Sequence, residues 1–95
     1  MVERGVTSWI VQWQEDALDN LAALDGHAAR RLMRLVLEFA EQPNTVDFER
    51  VPNSPYWYLY ATEVVGWAVL VSIEEAMVVL VLGVHFVGEG FRGRH

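Results

Sequence analysis

The sequence predicts an α+β domain, β-α-α-β-β-β, in which an antiparallel sheet carries a two-helix hairpin on one face. Three observations predict it. Two Val-rich apolar runs, 66–73 and 77–86, are separated only by Glu74, Glu75 and Ala76. An aromatic run, Tyr56–Tyr60 (YWYLY), precedes them. The N-terminal half instead spaces its apolar residues at helical intervals between two breaks, after a short alternating segment.

Thr7–Trp13 is that alternating segment. Trp9, Val11 and Trp13 fall on one side, and Ser8, Ile10 and Gln12 on the other. A period of two marks a strand with one buried face. Glu15 and Asp16 then open a helix, where acids complement the exposed amide ends. Leu18, Leu21, Ala22 and Leu24 form its expected apolar stripe. Asp25 and Gly26 break the pattern, with Asp25 placed to cap the next helix.

The second helix runs from about His27 to Glu41. Ala28, Ala29, Leu32, Leu35, Val36, Phe39 and Ala40 mark its buried side. Arg30, Arg31 and Arg34 lie on the other side as a solvated face, with Glu38 placed to pair with Arg34. Pro43 stops this helix, because proline cannot continue it. Thr45–Pro55, with Pro52 and Pro55, reads as a loop. Strands follow over 56–62, 66–73 and 77–86, and connections this short demand antiparallel neighbours. The tail Val87–His95 carries Gly88, Gly90 and Gly93 and is expected to be mobile. The whole chain, 1–95, reads as one domain.

The strand faces follow from the alternation. Trp57, Leu59 and Ala61 are the inward set, which leaves Tyr56, Tyr58 and Tyr60 on the open face. On the last strand, Val78, Leu80, Leu82, Val84 and Phe86 fall on one side. Met77, Val79, Val81, Gly83 and His85 fall on the other. A strand apolar on both sides is central, or covered on each side. The cover of the second face is either another chain, including a second copy in a homodimer, or the tail itself.

Composition narrows the function classes. The formal net charge is −6, and all seven basic residues are Arg. An acidic chain repels a phosphate backbone unless its basic residues cluster. Cysteine is absent, which excludes disulfides and thiolate chemistry and fits a cytoplasmic location. No secretory leader is visible. A membrane span over 64–87 would bury Glu74 and Glu75 at mid-bilayer, where charge is costly. The same two residues read as a hairpin turn and not as a metal site, and no cofactor is expected.

From Trp9 to about Phe91 the chain resembles the RelE/ParE superfamily of bacterial toxins from toxin–antitoxin pairs. The strand Trp9–Trp13 is followed by Glu15–Asp25 (EDALDNLAALD), similar to the family's strand and leucine-spaced helix. Ala28–Pro43 resembles its second helix. The three terminal strands, with their acidic turn and Val-rich last strand, resemble its ending. The resemblance implies a cognate antitoxin as partner. It implies one of two targets: ribosome-bound mRNA, cleaved as by a ribosome-dependent endoribonuclease that inhibits translation, or gyrase. A catalytically inert interaction module on the same fold is the alternative.

The departures fall on charged positions. Tyr58 and Tyr60 stand where the family often carries basic residues. Ala68 follows Trp67 where an Arg is usual. The last strand ends in His85, Phe86 and Val87. Phe91 replaces a C-terminal family Tyr. RNA cleavage needs an activated 2′-hydroxyl and stabilisation of the charge developing on phosphate. The candidate catalytic residues are therefore His85, Arg50 and Arg92, and the candidate binding residues are Tyr56, Tyr58, Tyr60 and Arg94. The plainer readings are a strand histidine bonded to backbone or water, cross-strand tyrosine packing and a frayed basic tail.

Overall fold

The computed structural model describes residues 9–88. In chain order the elements are β1 (Ile10–Trp13), α1 (Glu15–Ala22), α2 (Gly26–Glu41), β2 (Asp47–Arg50), β3 (Tyr56–Tyr60), β4 (Trp67–Glu74) and β5 (Val78–Phe86). The strands form one sheet in the order β1-β5-β4-β3-β2. The predicted α+β class and the three antiparallel terminal strands hold. Two features extend them. β1 runs parallel to β5, so the sheet is mixed. The expected loop Thr45–Pro55 contains an edge strand, β2, which pairs with β3.

Helix α1 buries Ala17 and Leu21, with Leu24 half-buried beyond its end. That spacing of four and three is the true stripe. Leu21 and Leu24 hold as predicted, whereas Leu18 is 47% exposed and Ala22 is also exposed, and Ala17 takes the inward place. Helix α2 behaves as read. The Asp25 carboxylate accepts a hydrogen bond from the Ala28 amide at 2.9 Å and satisfies one of the free donors of its first turn. Its buried side, Leu32, Leu35, Val36, Phe39 and Ala40, packs onto the sheet. The predicted Arg34–Glu38 pair is replaced. Glu38 meets Arg31 at 3.8 Å, and Arg31 Nε also reaches Glu63 at 3.1 Å.

The core lies between the helices and one face of the sheet. Leu59, Val69, Val71, Val79 and Val81 are fully buried there, beneath Leu32, Val36 and Phe39. Trp9, Val11, Trp13 and Trp57 close its margins. Phe39 stacks edge-on against Trp9 and Phe48, with centroids 5.9 and 5.7 Å apart.

A β-bulge interrupts the β4–β5 ladder. Leu70 faces Gly83, but Val71 faces Val81, so Leu82 is the extra residue. The alternation of β5 therefore changes phase at Leu82. Val79 and Val81 face the helices before it, and Val84 joins the same core after it. The predicted faces of β5 are corrected accordingly: Val84 is in the core, and His85 emerges on the opposite side. Bulges redirect side chains in this way.

The start of the predicted tail is tied down, since the Val87 and Gly88 amides donate to the Gly66 carbonyl at 2.7 and 3.0 Å. Residues 89–95, with Arg92 and Arg94, lie outside the described residues. Among the described residues no helix is long and apolar enough to cross a membrane.

Candidate functional site

The face of the sheet turned away from the helices gathers most of the predicted site residues. On β3, Tyr56, Tyr58 and Tyr60 project from it, because Trp57 and Leu59 take the core side. Ala68 of β4 lies between Tyr60 and His85 in the ladder, so a small residue separates the two rings. Tyr58 and His85 meet across that gap. Their rings are nearly perpendicular at 79°, with centroids 6.2 Å apart. The Tyr58 hydroxyl lies 3.4 Å from His85 Nδ1, a long hydrogen bond whose proton either partner can carry.

Gly83 makes room for this histidine. A Cβ there would sit 2.8 Å from His85 Nε2 and 3.3 Å from Asn20 Oδ1. The imidazole thus leans over bare backbone. Asn20 reaches this point from α1, where its side-chain oxygen accepts from the Val84 amide at 2.9 Å. β1 pairs with β5 only as far as Val81. Asn20 therefore satisfies an edge donor that β1 leaves unpaired.

The three tyrosines are not equivalent. Tyr56 is 37% exposed, whereas Tyr60 is buried. The Tyr60 hydroxyl donates to Glu49 at 3.4 Å, and its ring lies 6.4 Å from that of Tyr58. Residues directly opposite on antiparallel strands share a face. Asp47 opposite Tyr60 and Glu49 opposite Tyr58 therefore belong to the open face.

Arg50 does not. It lies opposite Trp57, with its guanidinium carbon 5.5 Å from the Trp57 ring centroid, and its Nε donates to the Ser54 carbonyl at 3.0 Å. That is the helix side of the sheet. The expected grouping of Arg50 with His85 is thus corrected: one residue of register separates the two faces. Among the described residues the open face carries no Arg. No group of three His, Cys, Asp or Glu among them is placed to hold a metal.

Sequence reasoning missed Asn20, Gly83 and Glu49. Gly83 carried a readable signal, since glycine inside an apolar strand marks a bulge or a close approach. Glu49 was hidden because β2 was read as loop. Nothing local distinguished Asn20.

A second charged locus lies on α2. His27, Arg30, Arg31 and Arg34 line a cavity of about 230 Å³. Beside it, Glu63 hydrogen-bonds its own backbone amide, and the Arg31 guanidinium approaches it. Both effects hold its carboxyl below the usual carboxylate range.

The architecture is the fold found in RelE structures. Chains of solved structures match it over most of their length. In the RelBE2 toxin–antitoxin complex of Mycobacterium tuberculosis, the similarity covers 88% of this chain and 97% of that one, at a TM-score of 0.68 and 13% identity. In the RelE–RelB complex of Pyrococcus horikoshii it covers 93% and 99%, at 0.67 and 15%. For the isolated RelE toxin of E. coli it covers 84% and 85%, at 0.63 and 17%. No family model and no curated protein matches the sequence.

Proposed function

We propose that the chain is a RelE-like toxin that acts with a cognate antitoxin, and that its activity is ribosome-dependent cleavage of mRNA. One observation carries this reading: a RelE fold whose open sheet face presents an exposed histidine, His85, with a tyrosine hydroxyl at its Nδ1. In this mechanism His85 takes the proton from the RNA 2′-hydroxyl as that oxygen attacks the adjacent phosphorus. Tyr58 orients the imidazole. The bond to the 5′-oxygen then breaks and that oxygen takes a proton from water, leaving a 2′,3′-cyclic phosphate and a free 5′-hydroxyl, while His85 releases its proton to solvent. Arg92 and Arg94, close behind β5 in sequence, supply positive charge to the phosphate. Tyr56 provides a ring on which a base stacks. Arg50, on the far face, has no part in this chemistry.

A second reading has its own support. On the described open face Tyr56, Tyr58 and Tyr60 form an aromatic stripe of the kind that protein interfaces favour. On this reading the chain is directed at gyrase, or is an inert interaction module.

Expression of the chain alone in a bacterium separates these readings. Growth arrest with cleavage of ribosome-bound mRNA, lost in His85→Ala, is the expected result. Arrest with intact mRNA and blocked DNA supercoiling rejects the nuclease and supports gyrase. Unimpaired growth without any antitoxin rejects the toxin.

A further inference from the structure

We propose that Asn20 is a phosphate-binding residue: its carboxamide Nδ2 donates to a non-bridging oxygen of the phosphate attacked beside His85. The proposal rests on the nuclease reading above for the identity of the reaction, while its geometry stands on α1 and β5 alone. The Val84 amide can only donate, so the Asn20 atom 2.9 Å from it is the oxygen. That bond fixes which way the carboxamide points and leaves its nitrogen as the outer end. Among the described residues Nδ2 makes no hydrogen bond, and the buried side-chain donor left without a partner is Arg31 Nη1. The Asn20 nitrogen is therefore open to solvent.

The site of that nitrogen gives it a use. Asn20 Oδ1 and His85 Nε2 lie 3.3 and 2.8 Å from the one point that a Gly83 Cβ would occupy. Gly83 is buried beneath them although it has no side chain. The carboxamide and the imidazole thus stand side by side above bare backbone. Tyr58 engages the imidazole at Nδ1, which leaves Nε2 as the nitrogen that meets the 2′-hydroxyl. The phosphorus that this hydroxyl attacks carries its non-bridging oxygens next to whatever stands beside Nε2. A fixed donor there gains strength as negative charge develops on such an oxygen. Because Val84 already holds the other end of the side chain, little freedom is lost when the donor is used. Among the described residues the open face carries no Arg, and a fixed neutral donor is what it offers the phosphate instead.

The test compares the full-length parent with Asn20→Asp, which keeps an oxygen for the Val84 amide and replaces the donor by a carboxylate of the same shape. Cleavage of ribosome-bound mRNA is expected to fall roughly 100-fold or more, in kcat rather than KM. The Val84 amide should keep its protection from hydrogen exchange, and the His85 imidazole should titrate at higher pH beside the new carboxylate. In the isotope-labelled parent, inorganic phosphate is expected to shift the Asn20 side-chain amide signals together with those of the His85 ring. Parental cleavage in Asn20→Asp would overturn the proposal, as would Asn20 signals that phosphate leaves unmoved. Loss of cleavage accompanied by loss of Val84 protection would assign Asn20 to capping β5 and overturn it too. A parent that cleaves no mRNA sinks the nuclease reading alone, since the phosphate titration then decides the site by itself.

Discussion

His85 owes its place to the residue two positions before it. Gly83 has no side chain, and the imidazole occupies the volume a methyl group would take. In Gly83→Ala the ring must move, because a Cβ 2.8 Å from Nε2 lies inside contact distance. The expected outcome is a displaced His85 imidazole signal in NMR with the fold intact, together with loss of the Tyr58 contact. A His85 spectrum identical to the parent's would show that the glycine does not position it. Core residues have a different sensitivity. Phe39 is 1% exposed and joins α2 to both Trp9 and Phe48. Phe39→Ala should cost about 3–5 kcal/mol in denaturant unfolding, the range for emptying a large aromatic site. Its inward position was legible from helical spacing alone. That of His85 was not, because it depends on where the partner strand slips.

The elements divide in the same way. α2 was legible because its apolar residues repeat at helical intervals and its two ends carry Asp25 and Pro43. Removing the cap in Asp25→Ala should lower stability by about 1 kcal/mol, measured from the denaturation midpoint. β2 was not legible. Asp47–Arg50 is four residues long, three of them charged, and only its pairing with β3 defines it as a strand. The bulge at Leu82 left only the neighbouring Gly83 as a local trace, since a phase change needs two strands to be seen. Deleting Leu82 removes the extra residue. That variant should keep Val84 in the core and His85 on the open face, because Val81 and Gly83 already face adjacent residues of β4. Hydrogen exchange at β5 checks this: loss of protection along the strand would show that the ladder needs the extra residue.

Among the described residues, every Arg lies on one side of the sheet. Arg30, Arg31, Arg34 and Arg50 lie on the helix side of the sheet, while Asp47 and Glu49 lie on the open face. The Arg31–Glu63 pair spans two parts of the fold, tying α2 to the turn between β3 and β4. The Glu63 carboxyl titrates lower when folded than when unfolded. Its contribution to stability is therefore present above the unfolded value and disappears as pH falls through the folded one. Glu63→Gln should be less stable than the parent at neutral pH, and the difference should vanish in acid. A pH-independent difference in melting temperature would assign the effect to packing instead.

The strand order has a consequence in time. β5 is the last strand made, yet it sits between β1 and β4 and pairs with both. Synthesis delivers the N-terminal segments first. Until β5 has been delivered, β1 has no strand beside it, Val79, Val81 and Val84 are missing from the core, and the surface bearing His85 does not exist. A nascent chain therefore cannot act through that surface until β5 has been made. Anything the protein does through that surface begins only after its message has been read through β5.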